Sequence, residues 1–193
     1  MAAAPPRIGG LVLAAGAARR FGSPKQLAPH RGRPLLEHAL AAIAAADGLE
    51  RRVVVLGAGA AAIRAAVDLQ GVEVVLCEGW EEGQAASLRA GVTALADTVD
   101  AVVVTLGDQP EIDPRAIERI AAARDGRADA VRATYAGRPG HPVLLERPLL
   151  AEVAGLRGDE GARRLLASAT VRLVSCDGLG GDLDVDLREQ LES

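Results

Sequence analysis

The apolar positions of this chain of 193 residues form short, nearly continuous runs that alternate with longer stretches of helical periodicity. The runs predict strands at residues 8–14, 52–56, 72–77, 101–106, 130–134 and 170–174. The longer stretches predict helices at residues 35–46, 60–69, 84–96, 114–124, 148–154 and 161–167, the fourth capped by Asp113. We interpret residues 135–142 as a turn-rich segment that a short strand follows, and the end of the chain as a strand and a tail helix.

Buried strands that are separated by helices are typical of a parallel sheet covered on both faces. The predicted fold class is therefore α/β: a single-domain, mostly parallel Rossmann-like sheet with helices on both faces. The length fits one domain that spans residues 1–193. In such a sheet ligands bind outside the carboxyl ends of the strands, so the loops that follow strands are the ones to examine.

The loop after the first predicted strand has the composition of a phosphate-binding loop. Its small residues Ala14, Ala15 and Gly16 allow backbone N–H groups to approach a polyphosphate, and Arg20 and Lys25 add positive charge. It is not a Walker A loop, because no Gly-Lys-Ser/Thr sequence follows at the required spacing. Lys25 is also the only lysine among 22 basic residues. An ammonium group at this one position therefore requires a specific explanation.

A second loop with glycines offers a different interpretation. Gly57, Gly59 and Ala62 satisfy the pattern Gly-x-Gly-x-x-Ala between a predicted strand and a predicted helix, and Glu78 follows about 20 residues later. A dinucleotide-binding fold places its phosphate loop and its ribose-binding carboxylate at this spacing. Two alternatives stay open here, an NAD-binding oxidoreductase and a plain turn between a strand and a helix.

Carboxylates follow the most apolar predicted strand and recur near the end of the chain. Asp108 comes soon after residues 101–106, and Asp184 and Asp186 alternate at strand period, so both point to the same face. Oxygen ligands of this kind suit Mg²⁺. We expect Asp108, with Asp184 or Asp186, to hold one Mg²⁺ against a triphosphate. The alternative for each carboxylate is a helix cap or a solvated edge.

Composition and charge narrow the classes of function. There are 22 basic and 26 acidic residues and only 2% aromatic residues, which argues against a nucleic-acid binder. Cys77 and Cys176 fall in apolar runs and are predicted to be buried free thiols. No apolar run approaches the length of a membrane span, and residues 8–18 make better sense as a strand and a site loop than as a signal peptide. We therefore expect a soluble, cytoplasmic protein with no membrane partner.

Two further segments carry polar residues at loop positions. Residues 83–91 are interpreted as a helix entry with Ser87 one turn in, and residues 137–142 as a rigid turn that presents His141. Taken singly, each segment is as consistent with a structural role as with a functional one.

Taken together, these segments resemble the molybdenum cofactor cytidylyltransferases, within the broader family of MobA-like nucleotidyltransferases. Residues 13–25 are similar to the family pattern Leu-Ala-Ala-Gly-x-Ser-x-Arg-Met-Gly-x-Pro-Lys. Four later segments also match family motifs. Residues 83–91 match Gly-x-x-x-Ser-Leu-Arg-x-Gly, and residues 107–110 match Gly-Asp-Gln-Pro. Residues 139–144 match Pro-Gly-His-Pro-x-Leu, and residues 184–186 match the start of Asp-Ile-Asp-Thr-Pro. Ala18 and Phe21 depart from the family's serine and methionine, and residues 187–190 depart from its last motif, which leaves the second metal ligand open.

The resemblance implies a role for each matching residue. The nucleotide-binding residues would be Ala14, Ala15, Gly16, Gly22, Gly83, Ser87 and Gly107. The catalytic residues at the phosphates would be Arg20, Lys25 and Asp108, and the Mg²⁺ ligands would come from Asp108, Asp184 and Asp186. The acceptor-binding residues would be Arg138, Gly140 and His141.

The implied reaction is the transfer of CMP from CTP to the terminal phosphate of the molybdenum cofactor, with release of pyrophosphate. Ala-Ala-Gly accompanies the cytosine users of the family, which favours CTP. The resemblance also implies a recipient molybdoenzyme of the xanthine dehydrogenase type. The alternatives are a transferase for another phosphate acceptor, such as a sugar phosphate, and a non-enzymatic protein that delivers the cofactor.

Overall fold

A seven-stranded sheet forms the centre of the fold in the computed structural model, which describes residues 6–17 and 24–181. The strands are β1 (Ile8–Ala14), β2 (Pro29–His30), β3 (Arg33–Pro34), β4 (Arg51–Leu56), β5 (Glu73–Leu76), β6 (Ala101–Leu106), β7 (Ala130–Tyr135), β8 (Arg138–Glu146) and β9 (Val171–Ser175). The helices are α1 (Leu35–Ala45), α2 (Ala60–Ala66), α3 (Gln84–Leu95), α4 (Pro114–Ala122), α5 (Arg147–Glu152) and α6 (Gly161–Ser168). β2 and β3 pair as a small hairpin outside the main sheet.

The order of strands in the main sheet is β5-β4-β1-β6-β8-β7-β9. β5, β4, β1 and β6 are parallel to one another, as are β7 and β9, and β8 runs antiparallel to both of its neighbours. At the centre, Leu11 of β1 lies opposite Val53 on one side and Val104 on the other. The predicted α/β class with a mostly parallel sheet is confirmed.

Alternate residues of each strand face two separate apolar layers. In β1, Val12 packs into the layer that α1, α2 and α4 cover, and Leu11 packs into the layer that α3, α5 and α6 cover. Both side chains are fully buried. Because both faces are covered, β6 is apolar at all positions but Thr105 and β4 is apolar from Val53 to Leu56, so both strands appear as apolar runs in the sequence.

Residues 135–142 are mostly strand, so the turn-rich interpretation of this segment is wrong. β7 extends to Tyr135, residues 136–137 make the turn, and β8 begins at Arg138. Arg132 pairs with Val143 but Thr134 pairs with Pro139, so residues 140–142 form a bulge in β8. Glycine and proline are tolerated there because a bulged residue need not donate to the ladder.

Smaller expectations have mixed outcomes. Asp113 caps α4 as predicted, its side chain accepting a hydrogen bond from the backbone N–H of Arg115 at 2.8 Å. Cys77 and Cys176 are buried free thiols, as predicted. The strand and tail helix expected at the end of the chain lie outside the described residues. Among residues 6–17 and 24–181, no helix has the length and apolar character that crossing a membrane would require.

Candidate active site

The loops that follow β1 and β6 meet at the centre of the sheet. The chain leaves β1 toward the β4 side and leaves β6 toward the β8 side, so a crevice opens between their carboxyl ends. The backbone N–H of Gly107 donates to the carbonyl of Leu13 at 2.9 Å and ties the two loops together. A Cβ at Gly107 would lie 2.8 Å from that of Ala14, so this close approach requires glycine.

Two neighbouring cavities, which share Leu13, Gly16 and Asp108 in their linings, occupy this crevice. The larger one, of about 440 Å³, is lined by Leu13, Ala15, Gly16, Ala17, Trp80, Glu81, Gly83, Gln84, Ser87, Leu106, Asp108 and Asp159. The smaller one, of about 130 Å³, is lined by Leu13, Ala14, Gly16, Lys25, Gln26, Gly107 and Asp108. The larger volume falls in the range of small-molecule sites, and the structure thus brings together eight residues predicted from the sequence: Ala14, Ala15, Gly16, Lys25, Gly83, Ser87, Gly107 and Asp108.

Lys25 and Asp108 form an ion pair where the two cavities meet. Lys25 begins a single 3-10 turn, Lys25–Leu27, and Asp108 follows β6. The Nζ of Lys25 lies 2.7 Å from Oδ2 of Asp108, and the two side chains are 14% and 27% exposed. This places one positive and one negative charge, both largely shielded from water, beside the loop after β1.

The second carboxylate oxygen of Asp108 is suited to a divalent cation. Oδ1 is buried and has no hydrogen-bond partner in the described part of the chain. A buried oxygen without a partner is costly unless a ligand satisfies it, and Mg²⁺ is commonly bound by one or two carboxylates together with water and substrate phosphates. Residues 6–17 and 24–181 contain no cluster of three acidic, histidine or cysteine residues that could hold a metal. Asp184 and Asp186 lie outside these residues.

Gln26 fixes the loop after β1 from behind, a role that the sequence analysis missed. Its buried amide donates from Nε2 to the carbonyl of Ala14 at 2.8 Å and to that of Gly16 at 3.0 Å. Two carbonyls held by one side chain restrict the conformation of the loop between them. A glutamine next to the conspicuous Lys25 carries no pattern that distinguishes it from a surface residue, so only the fold identifies it.

The loop at Gly57 supports the site loop and leaves no room for a phosphate on its inner side. A Cβ at Gly57 would lie 2.6 Å from Cβ of Trp80 and 2.7 Å from the carbonyl oxygen of Ala15. The backbone N–H of Ala58 donates to the same Ala15 carbonyl at 3.1 Å. The loop also follows β4 rather than β1, away from the crevice, and Glu78 is exposed. The glycine at 57 is therefore explained by its packing against Trp80 and the Ala15 carbonyl.

Gly83 and the first turn of α3 form one wall of the larger cavity. Gly83 has φ of 108°, and a Cβ there would overlap the backbone of Gly158. The N–H of Ala85 donates to the Gly158 carbonyl at 3.0 Å, which brings the unpredicted Asp159 to the cavity. Ser87 is buried and also lines it.

Cys77 lies behind this wall. Burial raises the pKa of its thiol, and this effect outweighs the lowering of the pKa by a hydrogen bond with Ser87. The thiol is therefore protonated at neutral pH, consistent with a structural residue.

The predicted acceptor residues lie at the same edge of the sheet, beside the crevice. The pairing of β8 with β6 ends at Val143, so Arg138, Gly140 and His141 extend past it toward the loop after β6. Arg138 is exposed and Gly140 is buried. His141 belongs to the bulge in β8, which corrects the expectation of a rigid turn. Burial, with a smaller contribution from the charge of Arg132, lowers the pKa of His141 from 6.5 to about 4, so its imidazole is neutral at physiological pH.

Four predicted site residues cannot be placed in this geometry. Arg20 and Gly22, together with Asp184 and Asp186, lie outside the residues that the structure describes. Their roles at the phosphates, the nucleotide and the metal stay predictions.

The strand order and the crevice define an α/β protein with a candidate ligand site at the carboxyl ends of its central parallel strands. Residues 10–173 match the MobA-like NTP transferase domain, and the chain belongs to this family.

Two solved structures share the fold over nearly the whole chain. Rv0371c from Mycobacterium tuberculosis H37Rv is 37% identical, with a TM-score of 0.87, and the match covers 99% of this chain and 100% of that one. A structure of Rv0371C in complex with manganese, from the same source, is 34% identical with a TM-score of 0.79, covering 97% and 99% of the two chains. Manganese is thus present in a structure of a relative that shares the fold.

The curated relatives carry names from more than one class of enzyme. Nicotine blue oxidoreductase of Paenarthrobacter nicotinovorans is 35% identical over 96% of this chain and 95% of that protein. The 2-C-methyl-D-erythritol 4-phosphate cytidylyltransferase of Xanthomonas euvesicatoria pv. vesicatoria is 33% identical over 84% of this chain. The bifunctional protein GlmU of Dinoroseobacter shibae is 37% identical over 89% of this chain. This chain spans only 61% and 41% of the last two relatives, respectively.

Proposed function

We propose that the protein transfers CMP from CTP to the terminal phosphate of the molybdenum cofactor, forming molybdopterin cytosine dinucleotide and releasing pyrophosphate. The observation that carries this proposal is the ion pair of Lys25 and Asp108 at the crevice between β1 and β6. There a cation can meet phosphates while a carboxylate oxygen remains for a metal. The five sequence motifs direct the proposal to this acceptor.

The proposed chemistry needs positioning more than it needs a base. An oxygen of the acceptor's phosphate monoester forms a bond to the α-phosphorus, and the bond from that phosphorus to the bridging oxygen breaks. Pyrophosphate leaves with this oxygen and its electron pair. A phosphate monoester is already a competent nucleophile, so the chain contributes alignment and charge. Lys25 neutralises phosphate oxygens, and the loop held by Gln26 orients the triphosphate.

Asp108 is the residue that would hold Mg²⁺ through Oδ1, with Asp184 or Asp186 as the proposed second ligand. When bound, Mg²⁺ supplies charge neutralisation at the triphosphate. The ion pair to Lys25 fixes the direction of the carboxylate, because Oδ2 is engaged while Oδ1 is left for the metal. We further propose a cytoplasmic location and a recipient molybdoenzyme of the xanthine dehydrogenase type.

Two alternatives rest on the named relatives. A relative named as a cytidylyltransferase for a polyol phosphate supports CTP with a different phosphate acceptor. A relative named as an oxidoreductase supports a redox function. In that case the dinucleotide would occupy the crevice at β1 and β6, because packing fills the space at Gly57.

Pyrophosphate release separates these candidates. The assay uses Mg²⁺ with CTP, GTP, ATP or UTP, each with molybdenum cofactor, with 2-C-methyl-D-erythritol 4-phosphate, or with no acceptor. We expect release with CTP and the cofactor. Release with CTP and only the polyol phosphate would support the second acceptor, and equal rates with all four nucleotides would overturn the base assignment. Oxidation of NADH in the presence of a dye acceptor, without pyrophosphate release from any combination of nucleotide and phosphate acceptor, would support the oxidoreductase.

A further inference from the structure

Arg132 of β7 is a half-buried cation whose hydrogen bonds within residues 6–17 and 24–181 go to backbone carbonyls. Its Nε donates to the carbonyl of Gly140 at 3.2 Å, and its Nη2 approaches the carbonyl of Pro139 at 3.4 Å. In the described part of the chain it forms no ion pair with a carboxylate. Burial lowers the pKa of Arg132, and the positive charge of Arg163 on α6 lowers it further. The fold thus keeps a second positive charge, on the exposed Arg163, near the half-buried guanidinium of Arg132.

Arg52 provides a comparison, because its guanidinium has a structural role in this protein. Arg52 also donates to two backbone carbonyls, those of Ile43 at 2.9 Å and Ala46 at 2.8 Å. These carbonyls belong to the C-terminal end of α1, where the helix dipole favours a positive charge. The carbonyls that Arg132 meets belong to an extended strand, which has almost no net dipole. The charge of Arg132 is therefore not compensated as that of Arg52 is.

The register of the sheet places this charge on the edge that carries the crevice, although Arg132 lines neither of its two cavities. Its guanidinium lies along the bulge in β8, at the carboxyl end of β6, on the edge that carries Asp108. Its Nη1 makes no hydrogen bond within residues 6–17 and 24–181 and is left to donate two N–H groups. His141, in the same bulge, is uncharged and contributes one ring N–H. Planar N–H donors beside a neutral imidazole form a suitable site for a tetrahedral oxyanion.

We propose that Arg132, together with His141 and the second cation Arg163, forms an anion subsite that binds the phosphate of the acceptor. This inference rests on the proposed function for the identity of the substrate, because the attacking phosphate must reach the nucleotide at the loop after β6. Arg132 binds and orients that phosphate, and the reacting oxygen is one that it does not engage.

The three histidines of the chain allow the subsite to be tested without any nucleotide. Inorganic phosphate is titrated into the folded protein at constant ionic strength and constant pH, and the imidazole C–H resonances of His30, His38 and His141 are followed by NMR. The His141 resonance is assigned from His141→Gln. We expect saturable movement of this resonance with millimolar phosphate, and no such movement with an equal concentration of chloride.

Variants separate the subsite from general charge effects. Arg132→Gln is expected to weaken phosphate binding at His141 about tenfold or more, because it removes charged hydrogen-bond donors. Arg163→Gln lies on an exposed helix position and is expected to fold normally and weaken binding about threefold. Arg52→Gln is the matched control, since it removes a guanidinium that also donates to two backbone carbonyls. It should leave the midpoint of the phosphate titration at His141 unchanged.

The outcomes distinguish this inference from the proposed function. An unmoved His141 resonance in the wild type, or equal midpoints in the wild type, Arg132→Gln and Arg163→Gln, would overturn the subsite even if CMP transfer is observed. If the resonance moves and depends on both arginines, but no nucleotide releases pyrophosphate, the subsite stands and the transferase assignment fails. If both hold, Arg132→Gln should raise the KM for the acceptor about tenfold and leave the KM for CTP unchanged.

Discussion

Lys25 is the only lysine of the chain, and its ammonium nitrogen lies 2.7 Å from a carboxylate oxygen of Asp108. The side chain is 14% exposed and borders a cavity of only about 130 Å³. A compact ammonium fits such a space and presents its donors in three directions, whereas a guanidinium is planar and larger. The chain uses arginine at its other basic positions, and lysine occurs at the position where the shape of the cationic group matters as well as its charge.

Replacing Lys25 by arginine tests this interpretation. Lys25→Arg keeps the charge, so we expect CTP to bind with little change while turnover falls about 10- to 100-fold, because the donors no longer match the phosphate positions. CTP binding is measured by calorimetry and turnover by pyrophosphate release. Normal turnover would mean that the lysine has no special role. Arg64→Lys on the exposed side of α2 is the control for an exchange of guanidinium and ammonium away from the site, and it should leave turnover unchanged.

Gln26 provides a second test at the residue scale. Gln26→Met keeps the volume but removes the amide that holds the carbonyls of Ala14 and Gly16. We expect about 1–3 kcal/mol less stability in urea unfolding, since two carbonyls lose a partner. We also expect about tenfold weaker CTP binding, because the loop is no longer fixed. Unchanged CTP affinity in the folded variant would limit Gln26 to a structural role.

These residues show which candidates the sequence could identify and which it could not. Lys25 and Asp108 were predicted because their types are unusual at their positions, a lone lysine and a carboxylate after an apolar strand. Gln26 and Arg132 were not, because a glutamine or an arginine acquires meaning only from what surrounds it. The half-buried arginine in particular cannot be told from the other arginines of the chain without the bulge that it contacts.

At the scale of elements, the loop at Gly57 has a packing role that can be measured. Gly57→Ala places a methyl group 2.6 Å from Cβ of Trp80 and 2.7 Å from the Ala15 carbonyl. We expect a loss of about 1–3 kcal/mol in stability and weaker CTP binding, because the clash displaces the site loop. Gly155→Ala is the matched control, since nothing lies within 4 Å of its Cβ and its φ is not positive. Equal stability of the two variants would contradict this packing role.

The bulge in β8 predicts a dependence of stability on pH. The pKa of His141 is about 4 in the folded protein and near 6.5 when unfolded, so between these values the unfolded chain binds more protons. The stabilisation is fully present above about pH 6.5 and is lost as the pH falls toward 4. We expect a loss of roughly 1–3 kcal/mol from this group between pH 7 and pH 4.5.

Because carboxylates titrate in the same range, the measurement is the difference between the wild type and His141→Gln. Urea unfolding at several pH values should show a shallower decline for the variant. Parallel curves for the two proteins would mean that His141 titrates normally.

At the scale of the whole molecule, the pattern of apolar runs was enough to predict the sheet and its class. Strands buried on both faces, such as residues 53–56 of β4 and most of β6, can be predicted because they form nearly continuous apolar runs. β8 was largely missed because its first half carries glycine and prolines, which a bulge tolerates and a local pattern cannot reveal. The meeting of the loops after β1 and β6 follows from strand order, which periodicity alone does not provide.

The central claim is that this crevice joins CTP to a phosphate acceptor through Asp108 and a divalent cation. The most direct test measures pyrophosphate release from CTP and molybdenum cofactor across a Mg²⁺ titration, for the wild type and Asp108→Ala, with folding verified by circular dichroism. We predict Mg²⁺-dependent release by the wild type and a loss of about 100-fold or more in the variant. Near-normal Mg²⁺-dependent release by Asp108→Ala, or no release by the wild type, would contradict the account.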